Sequence, residues 1–335
     1  MQTSLTVLQA GPSVSVQDLG RPGHLRFGVT GSGAMDRVSY RIANAMLGND
    51  NNNPAIEVSL GGISLQCDQG AVRIALVGGR FSTLLNDQLV PSWALLTLSA
   101  GDTLKVRPGE WGSWCYLAFA GKLDVPQWLD SHSVHLNSGV CGKPITQNDV
   151  LSIDAVDALN TDIRSIGDAT NLRPKNTLRA VLGPQDRFFD KVTIERLFDS
   201  DFTISPSYDR MGMRLSGCKL PVNAALDMPS EPLSRGSLQV PGHGEPICLM
   251  ADHHTAGGYP KVATVTSVDQ DVLAQHRSGD SIRFESVTAQ EAVQIARQEN
   301  ERLNQLVSTL MRSHAGLTER LWNHNLISGA YSSRQ

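Results

Sequence analysis

The chain has 335 residues, of which 40% are hydrophobic and 19% charged, and a formal net charge of -4. That length exceeds one comfortable hydrophobic core and predicts two domains. A weakly acidic chain without a basic tail has no bulk attraction for nucleic-acid phosphate or anionic lipid, which argues against nucleic-acid and membrane-surface functions.

The opening MQTSLTVLQAGPSVSVQD lacks the basic start and apolar run of a signal peptide, and no stretch approaches 18 consecutive apolar residues. Cys67, Cys115, Cys141, Cys218 and Cys248 are odd in number and widely spaced, which suits neither a disulfide framework nor a zinc site. The expectation is a cytoplasmic protein with reduced thiols.

In chain order, a helix is expected from Arg37 to Leu47, where Val38, Ile42, Ala45 and Met46 share a face and Gly48 supplies a stop. Asp36 precedes it as the expected N-cap. Strands follow from Ala71 (AVRIALVGG), Phe81 (FSTLLNDQLV), Trp114 (WCYLAFAG), Ala180 (AVLG) and Pro246 (PICLMAD), each bounded by turn residues. No other long helical stripe is read before residue 286. A short echo links Gly101-Asp102-Thr103-Leu104-Lys105-Val106, Asn148-Asp149-Val150-Leu151-Ser152-Ile153 and Gly279-Asp280-Ser281-Ile282-Arg283-Phe284. Each has a turn residue and an Asp before an alternating strand, as at the start of a barrel strand. The polar stretch 156–176 reads as a linker. Thr288-Ala-Gln-Glu291 has capping-box spacing and opens a helix with Val293, Ala296, Leu303, Leu306, Val307 and Leu310 along one side. The expected organisation is a β domain over 1–160, a second over 176–287, a helix over 288–312 and a tail over 313–335. Leu321, Trp322, Leu326 and Tyr331 make that tail a docking candidate.

Several chemistries lack their signatures. There is no phosphate loop ending in Gly-Lys-Ser/Thr, no dinucleotide-binding glycine pattern after a strand and no G-x-S-x-G elbow. The Gly-rich piece Gly28-Val-Thr-Gly31-Ser-Gly33 lacks the lysine and carboxylate such loops need. His253 and His254 are adjacent, so on a strand they face opposite ways and cannot readily share a metal; no metal site is expected. No M-K-M sequence is present, so biotin is not expected on this chain.

Three blocks carry a family resemblance. The first is VQDLGRPGHLRFGVTGSGAMDRVSYRIANAMLGNDNNNPAIEVSLGG from Val16 to Gly62; the second is Leu117-Ala-Phe-Ala-Gly121 with Val125-Pro126 and Ser131-His-Ser133. The third spans Asp209 to Gln275, with DRMGMRL, PSEPLSRGSLQVPGHGEPICLMADHHTAGGYPKVATV and LAQ. Together they resemble the KipA-like biotin-dependent carboxyltransferase (allophanate hydrolase subunit 2) family across both halves of the chain. Two departures stand out. Gly121-Lys122 occupies the place of the family's Gly-Gly, and His254-Thr255-Ala256 that of its Gln-Thr-Thr.

The resemblance implies two cyclophilin-like β-barrel domains and work as one part of a larger assembly. The implied activity is ATP-dependent 5-oxoprolinase, cleaving 5-oxo-L-proline to L-glutamate with a KipI-like subunit and a LamB/YcsF-like subunit, with ATP held at or with a partner. Two alternatives stay open: carboxyl transfer from carboxybiotin to urea or a related amide, and a KipA-like regulator that counteracts a KipI-type kinase inhibitor.

For the site, the strand ICLMA delivers Asp252 to a strand end. The loop Gly257-Gly258-Tyr259-Pro260-Lys261 then adds two glycines for close backbone approach, a hydroxyl and a cation. Asp252, Tyr259 and Lys261 are the catalytic candidates, against the plainer reading of a tight turn with surface charges. Arg210 and Arg214 offer forks for a carboxylate or phosphate, or structural ion pairs with Asp209 or Glu231. Ser230, Glu231, Gln239, Gly257, Gly258, Arg21 and Asp36 complete the binding candidates. Asn44 and Glu57 are read as ties between the first helix and the sheet.

Overall fold

In a computed structural model the described residues are 2–156, 163–165, 173–222 and 228–314. The expected linker and tail lie mostly outside them. The chain is mainly β, with four α-helices among the described residues: α1 (Arg37–Ala45), α2 (Lys191–Asp199), α3 (Ser267–Ala274) and α4 (Ala289–His314). No helix among them is long and apolar enough to cross a membrane.

The second half closes into a seven-stranded barrel, the cyclophilin-like element expected there. Six of its seven pairings are antiparallel, and a parallel pairing of Thr177–Leu182 with Ser281–Ser286 completes the ring. The first half holds a seven-stranded and a six-stranded antiparallel sheet. The six-stranded sheet is buried on both faces, which explains its near-continuous apolar runs. Along Cys115–Phe119, Cys115, Leu117 and Phe119 enter a core shared with the seven-stranded sheet, while Tyr116 and Ala118 face α1. The strand Ala71–Gly78 alternates likewise, with Ile74 and Leu76 on one side and Ala75 and Val77 on the other. The α1 side is continuous with the barrel core, so Met35, Tyr40 and Trp114 belong to one cluster with Leu178, Phe202 and Phe284.

The echo is one turn used three times. Gly101, Asn148 and Gly279 all have positive φ, at 94°, 71° and 90°. In each copy the Asp carboxylate accepts from the N–H three residues back: Asp102 from Ser99 at 2.8 Å, Asp149 from Thr146 at 2.8 Å and Asp280 from Arg277 at 2.7 Å. In each, the next strand over is gripped by two backbone bonds. Cys67, Val7 and Ile204 donate to the carbonyls of Asp102, Asp149 and Asp280 and accept from the N–H of the residue before. Two copies lie in the first half and one in the barrel.

Helix α1 begins where expected, with Asp36 accepting from Ser39 N at 3.0 Å. The Thr288–Glu291 capping box also forms, each residue's side chain accepting from the other's backbone N–H. Only the C-terminal part of the α4 stripe is packed: Leu303 and Leu310 lie against the shared core and Val307 is buried, whereas Val293 and Leu306 stay exposed. Two short helices, α2 and α3, add to those expected. Helix α2 is capped by Asp190 accepting from Thr193 N at 2.7 Å, and α3 buries Asp269, Gln270 and Asp271 alongside Leu273 and Ala274.

Candidate functional site at the junction of the two halves

Arg210, at a turn leading into Gly212–Gly217, is 2% exposed and reaches across the junction. Its Nε and Nη2 donate to the two carboxylate oxygens of Asp252, each at 2.9 Å. Nη1 donates to Glu57 of the first half, and Nη2 also to Gly33 O at 2.8 Å. Glu57 in turn accepts from Tyr116 Oη and from Met35 N, both at 2.7 Å. The Tyr116 oxygen accepts from Asp36 N at 2.7 Å, and Asp36 accepts from Gln275 Nε2 at 2.7 Å. A buried polar chain thus runs from Asp252 through Arg210, Glu57, Tyr116 and Asp36 to Gln275, crossing between the halves twice. Partnered this fully, buried polar groups rigidify the structure around them.

Electrostatics follow from this chain. Burial opposes the ionised form of Asp252, but the Arg210 guanidinium overrides it and holds the carboxyl below its usual range. Burial likewise opposes the charge on Arg210, and Asp252 and Glu57 raise its pKa in spite of that. Among the described residues no cation is hydrogen-bonded to Asp36: burial and then the nearby Asp271 push its carboxyl up to about 6.

Beside Asp252 lies a cleft of about 420 Å³ whose lining comes from both halves, including Arg21, Thr30, Trp128, His135, Asp252 and His254. Local sequence explains how Arg21 gets there. Gly20 and Gly33 have φ of 83° and 91°, and a Cβ on Gly20 would stand 2.5 Å from Gly31 O. The segment therefore doubles back tightly, with Arg21 N donating to Gly31 O at 2.8 Å and Ala34 N to Asp18 O at 2.9 Å. Asp18 locks this loop by accepting from Gly20 N, Ser131 Oγ, His132 N and Ser133 Oγ at 2.5–2.7 Å. The VQD and Ser-His-Ser blocks, over 110 residues apart, are thus two sides of one structure.

A second cleft, of about 430 Å³, shares Met211 and His254 with the first and gathers Arg214, Gln239 and Tyr259. Tyr259 and Arg214 are exposed there, and Gln239 Nε2 donates to Tyr259 O at 3.5 Å. His254, one of the departures from the family pattern, is therefore part of the wall common to both.

Lys261 belongs to neither lining. It is 4% exposed, with Nζ donating to Pro232 O at 2.9 Å and 3.6 Å from Glu231 Oε2. Gln185 bridges the two, accepting from Lys261 N at 2.8 Å and donating to Glu231 at 2.6 Å. Gly257 pairs with Glu231 in a two-stranded ladder, and a Cβ on it would come 3.0 Å from Gln239 Nε2. A Cβ on Gly258 would lie 3.2 Å from Met228 O, so both glycines admit neighbouring protein atoms. Ser230 is exposed at the edge of this group.

The candidates therefore divide. Arg21 and Asp252 share the first cleft; Tyr259, Arg214 and Gln239 share the second; Lys261, Glu231, Gly257 and Gly258 form a buttress beside it. Arg210 and Asp36 are interior. Of the two alternatives for Arg210 the structural ion pair is present, but with Asp252 and Glu57 and not with Asp209 or Glu231; Asp209 instead accepts from Met211 N at 2.7 Å within its own turn. Glu57 is a tie as expected, accepting from Met35 N just before α1, whereas Asn44 Nδ2 donates to Asn53 O at 3.1 Å in the loop that follows the helix. Sequence reasoning missed Trp128, His135 and Gln275, whose roles depend on contacts from distant parts of the chain. Among the described residues no cluster of three His, Cys, Asp or Glu side chains could hold a metal ion.

Residues 27–286 match the model of the carboxyltransferase domain, subdomain A and B. The chain is 35% identical to the 5-oxoprolinase C-subunit of Haemophilus influenzae, over 90% of this chain and 97% of that protein. It is 34% identical to the 5-oxoprolinase C-subunit of Escherichia coli, over 89% and 96%. Among solved structures, the Kluyveromyces lactis urea amidolyase superposes with a TM-score of 0.80 at 28% identity, covering 92% of this chain and 20% of that one. The chain spans between about half and a fifth of the solved chains it matches.

Proposed function

Because the chain belongs to the carboxyltransferase-domain family, subdomain A and B, we propose that it is the C-type subunit of an ATP-dependent 5-oxoprolinase. The observation that carries this reading is the end-to-end match to the Haemophilus influenzae 5-oxoprolinase C-subunit, 97% of whose length is covered. The urea amidolyase match, by contrast, uses a fifth of that chain. In this reading the chain acts with a KipI-like and a LamB/YcsF-like subunit. The lactam is activated with ATP supplied at or with a partner, and water then opens the ring to L-glutamate. The chain's contribution is the paired clefts at its junction, whose donors are held in place before substrate arrives. Preorganised donors of this kind stabilise charge developing on an amide oxygen.

The test is co-expression with both candidate subunits, followed by size-exclusion chromatography and a glutamate-release assay with each chain omitted in turn. Activity is expected only from the complete set, and neither ATP nor 5-oxoproline should be hydrolysed by this chain alone. Full activity without this chain would overturn the reading.

A second reading, carboxyl transfer from carboxybiotin to urea or a related amide, is supported by the urea amidolyase superposition across 92% of the chain. Carboxylation of urea by a mixture of this chain, a biotin carboxylase and a biotinylated carrier would favour it over lactam cleavage.

A further inference from the structure

Arg21 is 1% exposed, yet its Nε and Nη1 have no hydrogen-bond partner. Its Nη2 is occupied by Ser133 O, with Cys141 Sγ at 3.4 Å, and among the described residues it makes no ion pair. A guanidinium is always charged, and burying one without an anion is among the most unfavourable arrangements a folded chain can hold. Arg210, in the same molecule, shows the usual solution: two carboxylates and a carbonyl take four of its five N–H donors. Among the described residues, the only carboxylate lining the cleft beside Arg21 is that of Asp252, and it is already committed to Arg210. Thr30, on the same cleft, has a buried hydroxyl without a partner. The Arg21 guanidinium carbon lies over the ring of Trp128, 5.8 Å from its centroid, and the ring is 43% exposed, so apolar surface beside the guanidinium stays open to the rest of a ligand.

We propose that Arg21 is the counter-ion for the carboxylate of a small organic acid bound in this cleft, with the Thr30 hydroxyl as an auxiliary donor and Trp128 as the stacking surface. The cleft's volume of about 420 Å³ suits a compact molecule. If the 5-oxoprolinase reading holds, the acid is 5-oxo-L-proline, held by its carboxylate while its amide is left free to react. The identity of the acid rests on that reading; the carboxylate site does not.

The experiment is a thermal-shift titration of the purified full chain with 5-oxo-L-proline, with 2-pyrrolidinone (the same ring without the carboxylate), with L-proline and L-glutamate, and with inorganic phosphate. A ligand that binds only the folded state raises its melting temperature. The expected result is a rise with 5-oxo-L-proline, none with 2-pyrrolidinone, and loss of the rise in Arg21→Gln. The variant's apparent affinity should be weaker by about tenfold or more, as for a lost charged hydrogen bond. Without ligand, Arg21→Gln should melt no lower than the wild type, since the substitution removes an unpaired charge. Should that variant not fold, Arg21→Lys is used, expected to retain a reduced carboxylate response. A rise with L-proline or L-glutamate but not 5-oxo-L-proline, lost in the variant, would uphold the carboxylate site and count against the 5-oxoproline reading. A rise undiminished in Arg21→Gln, a response to phosphate alone, or no response to any probe would overturn the proposal.

Discussion

Arg210 and Glu57 are 153 residues apart in the chain and bonded to each other with the Arg210 side chain 2% exposed and that of Glu57 fully buried. Breaking one partner of such a pair strands the other's charge in the interior, which costs about 3–5 kcal/mol. Arg210→Met is therefore expected to lose stability of that order in urea denaturation. The triple change Arg210→Met, Glu57→Gln, Asp252→Asn should recover part of it, because no charge is then left unpaired. Asp252→Asn alone should weaken folding as well as any activity, since its carboxylate is the main anchor of Arg210.

Asp36 supplies a pH signature. Its pKa rises on folding from 3.8 to about 6, so between those values the folded state binds more protons than the unfolded chain. Its contribution therefore lowers stability as pH climbs from about 4 to 6 and is constant above that. Asp252, depressed by Arg210, acts oppositely and loses stability as pH falls through the acid range. In denaturation midpoints measured against pH, Asp36→Asn should flatten the first of these slopes and leave the second. An unchanged profile would exclude Asp36 as the titrating group.

Gln275 is a four-way clamp. Its oxygen accepts from Ser113 N at 2.9 Å and Trp114 N at 3.1 Å, while its amide donates to Asp36 at 2.7 Å and Trp114 O at 3.0 Å. Gln275→Leu keeps the bulk but orphans buried groups at roughly 1–3 kcal/mol each. A loss of about 3 kcal/mol or more is expected in chemical denaturation, since more than one group loses its partner at once.

The three repeated turns predict matched effects. Asp102→Ala, Asp149→Ala and Asp280→Ala each remove the same hydrogen bond to the N–H three residues back. Each is expected to cost about 1 kcal/mol, as at a lost helix cap. Free energies differing severalfold among the three would show that the shared geometry does not carry shared energetics.

What could be read from the sequence was local. Asp36 before an amphipathic run, Thr288 three residues before Glu291, and a turn residue plus Asp before a strand all act within a few positions, and all appear as expected. Helix α3 carries no such signal because three of its five buried residues are polar and rely on tertiary pairing: Asp269 is held by Arg179 at 2.6 Å and Asp271 by Arg37 at 2.9 Å. The same limit applies at the clefts. DRMG, ADH and GAMD stand out as motifs, but nothing in their spacing says that Arg210 faces inward while Arg21 is left with free donors. That distinction depends on which strands neighbour which, and only the fold supplies it.

The core that runs unbroken from α1 into the barrel bears on how anything could enter between the halves. Two bodies joined by a thin contact can hinge, and a ligand must then supply the free energy of closing them. Here the gap is spanned by Arg210, Glu57, Tyr116 and Gln275 and backed by shared apolar side chains, so its width is set at folding. A ligand that fits loses its own freedom on binding but orders little of the protein, and one slightly too large meets walls with the stiffness of a domain interior. Such a slot excludes by shape what is too large, with little adjustment available afterwards, and leaves the choice among molecules that fit to the groups lining it.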